Sequence, residues 1–180
     1  QVYGPEAETH EAIREFAGGR LKAEHYVGEA MYRTEFGPVK KEFDVENLPA
    51  SRATTGLKVD SSFSRLPATE VVTAGDPRAS ENIGLTLMQI LFFREHNWRA
   101  AQLEQANPDW DDETLFQEAR RRTIAVWQHL LFDEWLPAVF GPDMVKRLGP
   151  YSGYDETANA MTSVPFATLA LRFGHSALHP

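Results

Sequence analysis

The sequence predicts a mainly α-helical chain, and three observations carry that prediction. Apolar residues recur at helical spacing over three long stretches, Gly and Pro fall mostly between those stretches, and no strand-like alternation persists beyond a few residues. Residues 6 to 17 favour a short helix that Gly18-Gly19 stops. From Arg20 to Thr73 no period persists, and Gly28, Gly37-Pro38, Pro49, Gly56 and Pro67 punctuate the chain, which predicts a long irregular covering segment over 20–73 in the N-terminal third. Structureless runs beyond about 12–15 residues are uncommon, so this segment is expected to pack against something larger than itself. A helical core over 75–180 follows. Ile83, Leu87, Ile90 and Leu91 predict a long buried helix over 79–105, broken by Asn107-Pro108. Asp111-Asp112-Glu113 place negative charge at the start of a second helix, whose face is Leu115, Ala119, Val126 and Leu130. Arg120, Arg121 and Arg122 point about 100° apart on it and read as a solvated face with ion pairs. Pro137 and Gly141-Pro142 end that helix. Phe166, Leu169, Ala170 and Phe173 give a third helix its stripe, with Pro165 at a kink or at its start.

Composition narrows the function. The 180 residues hold 18 Lys plus Arg against 26 Asp plus Glu, a formal charge of −8, with no basic run, which disfavours nucleic acid and anionic membrane surfaces. Apolar runs such as Ile90-Leu91-Phe92-Phe93 are far short of the ~20 residues that span a bilayer. Absence of Cys removes disulfides, thiolate nucleophiles and Cys-ligated zinc. The chain opens on Gln1 without a signal-peptide pattern, which reads as a processed, trimmed or fragmentary start. There is no phosphate-cradling Gly-rich loop and no Gly-x-Ser-x-Gly elbow.

Two constellations carry chemistry. In Gly75-Asp76-Pro77-Arg78-Ala79-Ser80-Glu81-Asn82, Arg78 and Glu81 stand three apart at a helix start and share a face; the plain alternative is a surface ion pair worth roughly 0.2–0.5 kcal/mol. In Leu171-Arg172-Phe173-Gly174-His175, Arg172 and His175 again stand three apart, beside a glycine that leaves room for a flat ligand; the alternative is a hydrogen-bonded core histidine. His10 and His25 read as exposed, His96 as a node tying helices together, and His129 and His179 as lacking ligand spacing.

These residues, with Val2-Tyr3-Gly4, Arg94-Glu95-His96-Asn97, Asn107-Pro108-Asp109-Trp110 and Glu134-Trp135-Leu136-Pro137, resemble the animal haem peroxidase superfamily over nearly the whole chain. Within it they look most similar to the peroxidase-like domain of dual oxidases, with peroxidasin-like enzymes next. The resemblance implies that residues 1–180 are a central helical segment of one such domain. It implies haem as cofactor, His175 as proximal iron ligand, Arg172 as support for the haem edge, Arg78 as the distal arginine that polarises peroxide, and Glu81 as the residue that can be esterified to a haem methyl. Asn82 stands where some members carry a sulfonium-forming Met, so that link is not expected. Hydrogen peroxide and a small reductant, a halide or phenol, are the implied substrates. The remaining parts of the domain, or a partner chain, are the implied neighbours. The family's distal histidine and calcium loop would precede Val2, and the Asn supporting the proximal histidine would follow Pro180; His10 and His25 are left to substitute as base, neither in Asp-rich surroundings. Arg172, where lipid-oxygenating members carry a radical Tyr, favours peroxidase chemistry. An extracellular or membrane-associated ectodomain is the implied setting. The alternative from a different class is a haem-free peroxidase-like module that scaffolds an assembly.

Overall fold

The structure, a computed structural model, describes residues 2–4, 7–34, 37–47 and 72–177, with the backbone alone for 24–34, 37–47, 144 and 175–177. Its elements in order are α1 (Ala7–Ile13), β1 (Glu24–Thr34), β2 (Gly37–Asn47), α2 (Ile83–Ala106), α3 (Asp112–His129), a π-helical stretch Leu130–Trp135, α4 (Leu136–Phe140), α5 (Pro142–Leu148), α6 (Val164–Thr168) and a 3₁₀ helix Ala170–Ala177. The chain is mainly helical, as its periodicity predicts.

The stretch 20–73 departs from its expected irregularity in one part. β1 and β2 pair antiparallel, with Tyr26 opposite Val45 and Tyr32 opposite Val39. Val39, Phe43 and Val45 do alternate, but Gly28, Pro38 and the Lys40-Lys41 pair interrupt the pattern enough to hide it. The expected irregularity of residues 48–71 lies outside the described residues.

Two capped helices form the centre. The Asn82 side chain accepts from the Gly84 and Leu85 N–H groups and starts α2, and the Asp111 carboxylate accepts from Thr114 N–H and starts α3, with Asp112 and Glu113 in its first turn. At the far end of α2 the Asn107 N–H and side-chain amide both donate to the Leu103 carbonyl. Ala100 and Ala119, both fully buried, let the helices approach closely, flanked by Leu103 and Leu115. Phe93, Phe116 and His96 are the largest fully buried side chains, and Ile13, Leu21, Ala74 and Ala79 pack on them.

Of the four α2 residues expected to be buried, Ile90 packs against the core and the other three do not. Ile83, Leu87 and Leu91 are 89%, 64% and 55% exposed, while the inner face is Gln89, Phe92, Phe93, His96, Asn97, Ala100 and Leu103. Both faces of the first turns are apolar, and the polar His96 and Asn97 go inward because the N-terminal segment supplies backbone partners for them. Asn97 accepts from Leu21 N–H at 2.9 Å and donates to Leu21 C=O at 3.1 Å, pairing with that backbone as a strand would.

That segment folds back through Gly18 and Gly19, both at positive φ, with Arg14 bridged to Leu21. α1 ends at Ile13 rather than at the glycine pair, which instead forms the turn. Gly19 grips both long helices: its N–H donates to Asp112 at 2.7 Å, and its carbonyl accepts from His96 Nε2 at 2.9 Å. Arg14, buried, forks onto Asp112 and Glu113 and lies 4.1 Å from the Phe116 ring centroid, while Arg20 pairs with Glu104.

Pro137 does not stop the second helix. It has no N–H to offer the carbonyl four residues back, and the helix widens instead, with Leu136 N–H reaching Leu131 C=O, before α4 runs to the positive-φ Gly141. Pro165 falls in the first turn of α6, marking the start of the third helical stretch. Leu169, at φ −120, then separates α6 from the 3₁₀ helix, so the single third helix expected is two short ones, with Phe166, Leu169 and Phe173 exposed.

His96 gives a pH prediction. Burial pushes its pKa from 6.5 down to about 4, against the Gly19 carbonyl that favours the charged form. The unfolded chain therefore takes up a proton between pH 6.5 and about 4 that the folded chain resists, so the contribution is complete above pH 6.5 and is lost as pH falls toward 4. It amounts to ~3 kcal/mol at about 1.4 kcal/mol per unit. Urea midpoints should fall more steeply across this window in the parent than in His96→Gln, where only carboxylate titration remains; equal slopes would contradict the assignment.

Candidate functional site

Arg78 and Glu81 lie in the turn between Ala74 and α2, where Ala79 N–H donates to Asp76 C=O and Glu81 N–H to Arg78 C=O. Ser80 Oγ donates to Val72 C=O and Thr86 Oγ1 to Ala79 C=O, so the turn is fixed to its surroundings on both sides. The Arg78 guanidinium closes on Asp76 through Nε at 3.0 Å and Nη2 at 2.8 Å, not on Glu81. That fork holds the Asp76 carboxyl below its ordinary range and raises Arg78, whose side chain is exposed; Glu81 adds a smaller push in the same direction. The planar fork thus stands at the surface at the foot of α2, oriented by a carboxylate. Asn82, beside it, is committed to capping.

Arg172 and His175 lie on the 3₁₀ helix 170–177. With three residues per turn, positions 172 and 175 fall on one face, one directly above the other, a closer alignment than the α-helix expected. Arg172 is exposed. A Cβ built on Gly174 would meet nothing within 4 Å, so the backbone beside His175 is open. Phe173 turns away and packs with Trp135 and Phe140, centroids 6.5 and 5.7 Å apart, which ties this helix to the π-helical stretch.

Arg78 with Glu81, and Arg172 with His175, thus stand on different elements, and the Arg78 guanidinium bonds Asp76. Arg78, Glu81 and Arg172 are not among the residues lining the apolar groove of about 390 Å³ between α2 and α3, which Val2, Tyr3, Leu85, Met88, Phe92 and Trp127 help to form. Among the described residues no three His, Asp or Glu side chains gather as a metal site. A single imidazole with an arginine one turn away, beside open backbone, suits axial ligation of a planar cofactor with acidic substituents and does not suit a multi-carboxylate ion site.

The other histidines resolve as follows. His96 is the node expected: Nε2 donates to Gly19 C=O and Nδ1 accepts from the Tyr3 hydroxyl at 2.9 Å. His10 is half-buried rather than exposed, bonded to the Gly4 carbonyl at 2.9 Å. His129 pairs with Asp133 one turn on, a partner that its i, i+4 spacing already offered. The arginine run divides: Arg121 and Arg122 both bond Glu118, holding its pKa at about 2, whereas Arg120 lies 5.2 Å from the Tyr3 ring centroid. The Tyr3–His96 contact is the feature that sequence spacing missed, since 93 residues separate its partners.

The profile of the animal haem peroxidase family matches residues 1–180. Peroxinectin A of Dictyostelium discoideum is 32% identical over 179 residues, 99% of this chain and 29% of its own length. The mouse peroxidasin homolog is 48% identical over 107 residues, 59% of this chain and 7% of its own length. Human thyroid peroxidase is 44% identical over 108 residues, 59% of this chain and 12% of its own. Among solved structures, peroxidase A from Dictyostelium discoideum superposes with a TM-score of 0.73 at 32% identity, covering 97% of this chain and 30% of that one. The chain spans less than a third of the length of these relatives; the sequence points first to dual oxidases with peroxidasin-like enzymes next, and it is the peroxidasin-like branch that these comparisons support. The chain belongs to the animal haem peroxidase family.

Proposed function

We propose that this chain is part of a haem-dependent peroxidase domain that oxidises a halide, a phenol or another small reductant with hydrogen peroxide. The observation that carries the reading is that the family match runs over all 180 residues and so takes in Arg78, Glu81, Arg172 and His175 together. The bound haem contributes cleavage of the peroxide O–O bond. His175 would hold the haem iron through its imidazole, and Arg172, on the same 3₁₀ face, would hold an acidic substituent of the ring through its fork. Arg78 places fixed positive charge where the departing oxygen becomes negative, after its fork exchanges Asp76 for that oxygen. Glu81, on the turn held by Ser80 and Thr86, is the group for an ester link to the ring. An extracellular or ectodomain setting follows the family expectation; among the described residues no helix is long and apolar enough to cross a membrane.

The remaining parts of the domain cover the outward face of α2. Ile83, Leu87, Leu91 and Trp98 recur on one exposed stripe, and a same-fold structure extends well beyond the 30% that this chain covers. One observation favours the haem-free alternative, namely that Arg78 is already neutralised by Asp76. Haemin titrated into the chain co-expressed with the remainder of its domain separates the two. A saturable Soret band at one haem per chain, shifted by cyanide, is the expected result, and a folded complex without one selects the structural module. Leu87→Lys with Leu91→Lys should leave the helical far-UV signal of the 180-residue chain unchanged but prevent that complex; undiminished assembly would contradict the assignment of this face.

A further inference from the structure

The Tyr3–His96 pair has a geometry that exceeds the needs of packing. Gly19 C=O accepts the Nε2 proton of His96 at 2.9 Å, which fixes the tautomer and leaves Nδ1 as an acceptor. The Tyr3 hydroxyl meets that nitrogen at 2.9 Å. The Tyr3 ring also packs edge-on against Phe116, centroids 6.1 Å apart, and is partly buried against the apolar core. We propose that Tyr3 and His96 form a proton-coupled one-electron redox site, in which Tyr3 stores an oxidising equivalent and His96 holds its proton.

The step balances as follows. A one-electron oxidant takes one electron from the phenol, the O–H bond breaks, and the proton passes along the existing hydrogen bond to Nδ1. The products are a neutral phenoxyl radical, an imidazolium that donates from both ring nitrogens, to the phenoxyl oxygen and to Gly19 C=O, and the reduced oxidant. Arg120, 5.2 Å from the ring centroid, opposes positive charge on the ring, so electron and proton leave together. Burial pushes the Tyr3 hydroxyl up to about 12 and His96 down to about 4, against the smaller opposing influences of Thr123 and Arg120 on Tyr3 and of the Gly19 carbonyl on His96. The proton therefore returns to oxygen when the radical is reduced, and the site resets. Tyr151 and Tyr154, 87% and 89% exposed, have no such partner geometry and lose their protons to water. The oxidant in the cell is of the class that haem and peroxide generate, and to that extent the inference rests on the proposed function; the pair itself is tested without haem.

The 180-residue chain is oxidised photochemically with ruthenium(III) tris-bipyridine, frozen, and examined by electron paramagnetic resonance in H2O and D2O. The expected result is a tyrosyl radical with a resolved exchangeable deuteron at hydrogen-bond distance, lost in Tyr3→Phe, which removes only the oxygen. A Tyr3→Phe spectrum equal to the parent's in shape and yield overturns the proposal. Should Tyr3→Phe not fold, the parent alone decides, because radicals without a resolved deuteron coupling overturn it equally. A chain that gives the radical photochemically but takes up no haem with the rest of its domain keeps the redox pair and loses the peroxidase reading.

Discussion

Arg78→Lys is expected to slow the reaction of the haem-loaded domain with peroxide by about 10²–10³ while leaving haem uptake unchanged, by analogy with removal of one preorganised donor from a developing oxyanion. The guanidinium sits in a fork, with Nε and Nη2 both directed at the Asp76 carboxylate. A carboxylate and the separating oxygens of peroxide make the same demand on it, two roughly parallel donors on adjacent atoms. An ammonium keeps the charge but offers a point, on a stem that the turn does not orient. The ion pair with Asp76 can survive in the variant, so stability should change little. Stopped-flow traces of the haem band after mixing with peroxide measure the step directly, and unchanged rates would remove Arg78 from it.

Gly19→Ala should destabilise the fold by at least ~3 kcal/mol, the combined scale of a non-glycine residue held at positive φ and of two buried polar groups losing their partners. A Cβ there would stand 2.5 Å from the Phe116 backbone nitrogen and 2.6 Å from the Leu115 Cβ. Neither is the tip of a flexible side chain, and both belong to α3 where it crosses the turn. The loop must therefore move, and with it go the N–H bond to Asp112 and the carbonyl that holds His96. The midpoint of urea unfolding reports the loss. A change within ~0.5 kcal/mol would show that the turn is not the fastening described here.

The same fastening explains what could be read from sequence and what could not. α2 and α3 were legible because Asn107-Pro108 and Asp111 mark a break and a start that local chemistry alone dictates. Which face of α2 goes inward was not, because Ile83, Leu87 and Leu91 are as apolar as Phe92 and Phe93, and the choice is made by Leu21 and Gly19 some 76 residues away. The hairpin was hidden by Gly28 and Pro38, which read as breakers until a partner strand supplies the register. Pro137 reads locally as a stop, whereas a wider helical turn absorbs its missing donor. At the candidate site the residue types and their order were legible from motif resemblance. The partner of Arg78 was not, since spacing offered Glu81 and the turn instead presents Asp76. The 3₁₀ winding that puts positions 172 and 175 on one face, in a stretch where Phe173 packs onto Trp135 and Phe140, is not something a periodicity of 3.6 could indicate.

The central claim is that His175 is the axial ligand of a haem, and the most direct test is the absorption spectrum of the haem-reconstituted domain carrying His175→Gly, recorded before and after addition of imidazole. The account predicts loss of the parent's Soret and ligand-field bands with the helical far-UV signal retained, and their restoration when free imidazole enters the space left by the side chain. A His175→Gly domain that shows the parent spectrum without imidazole would contradict it.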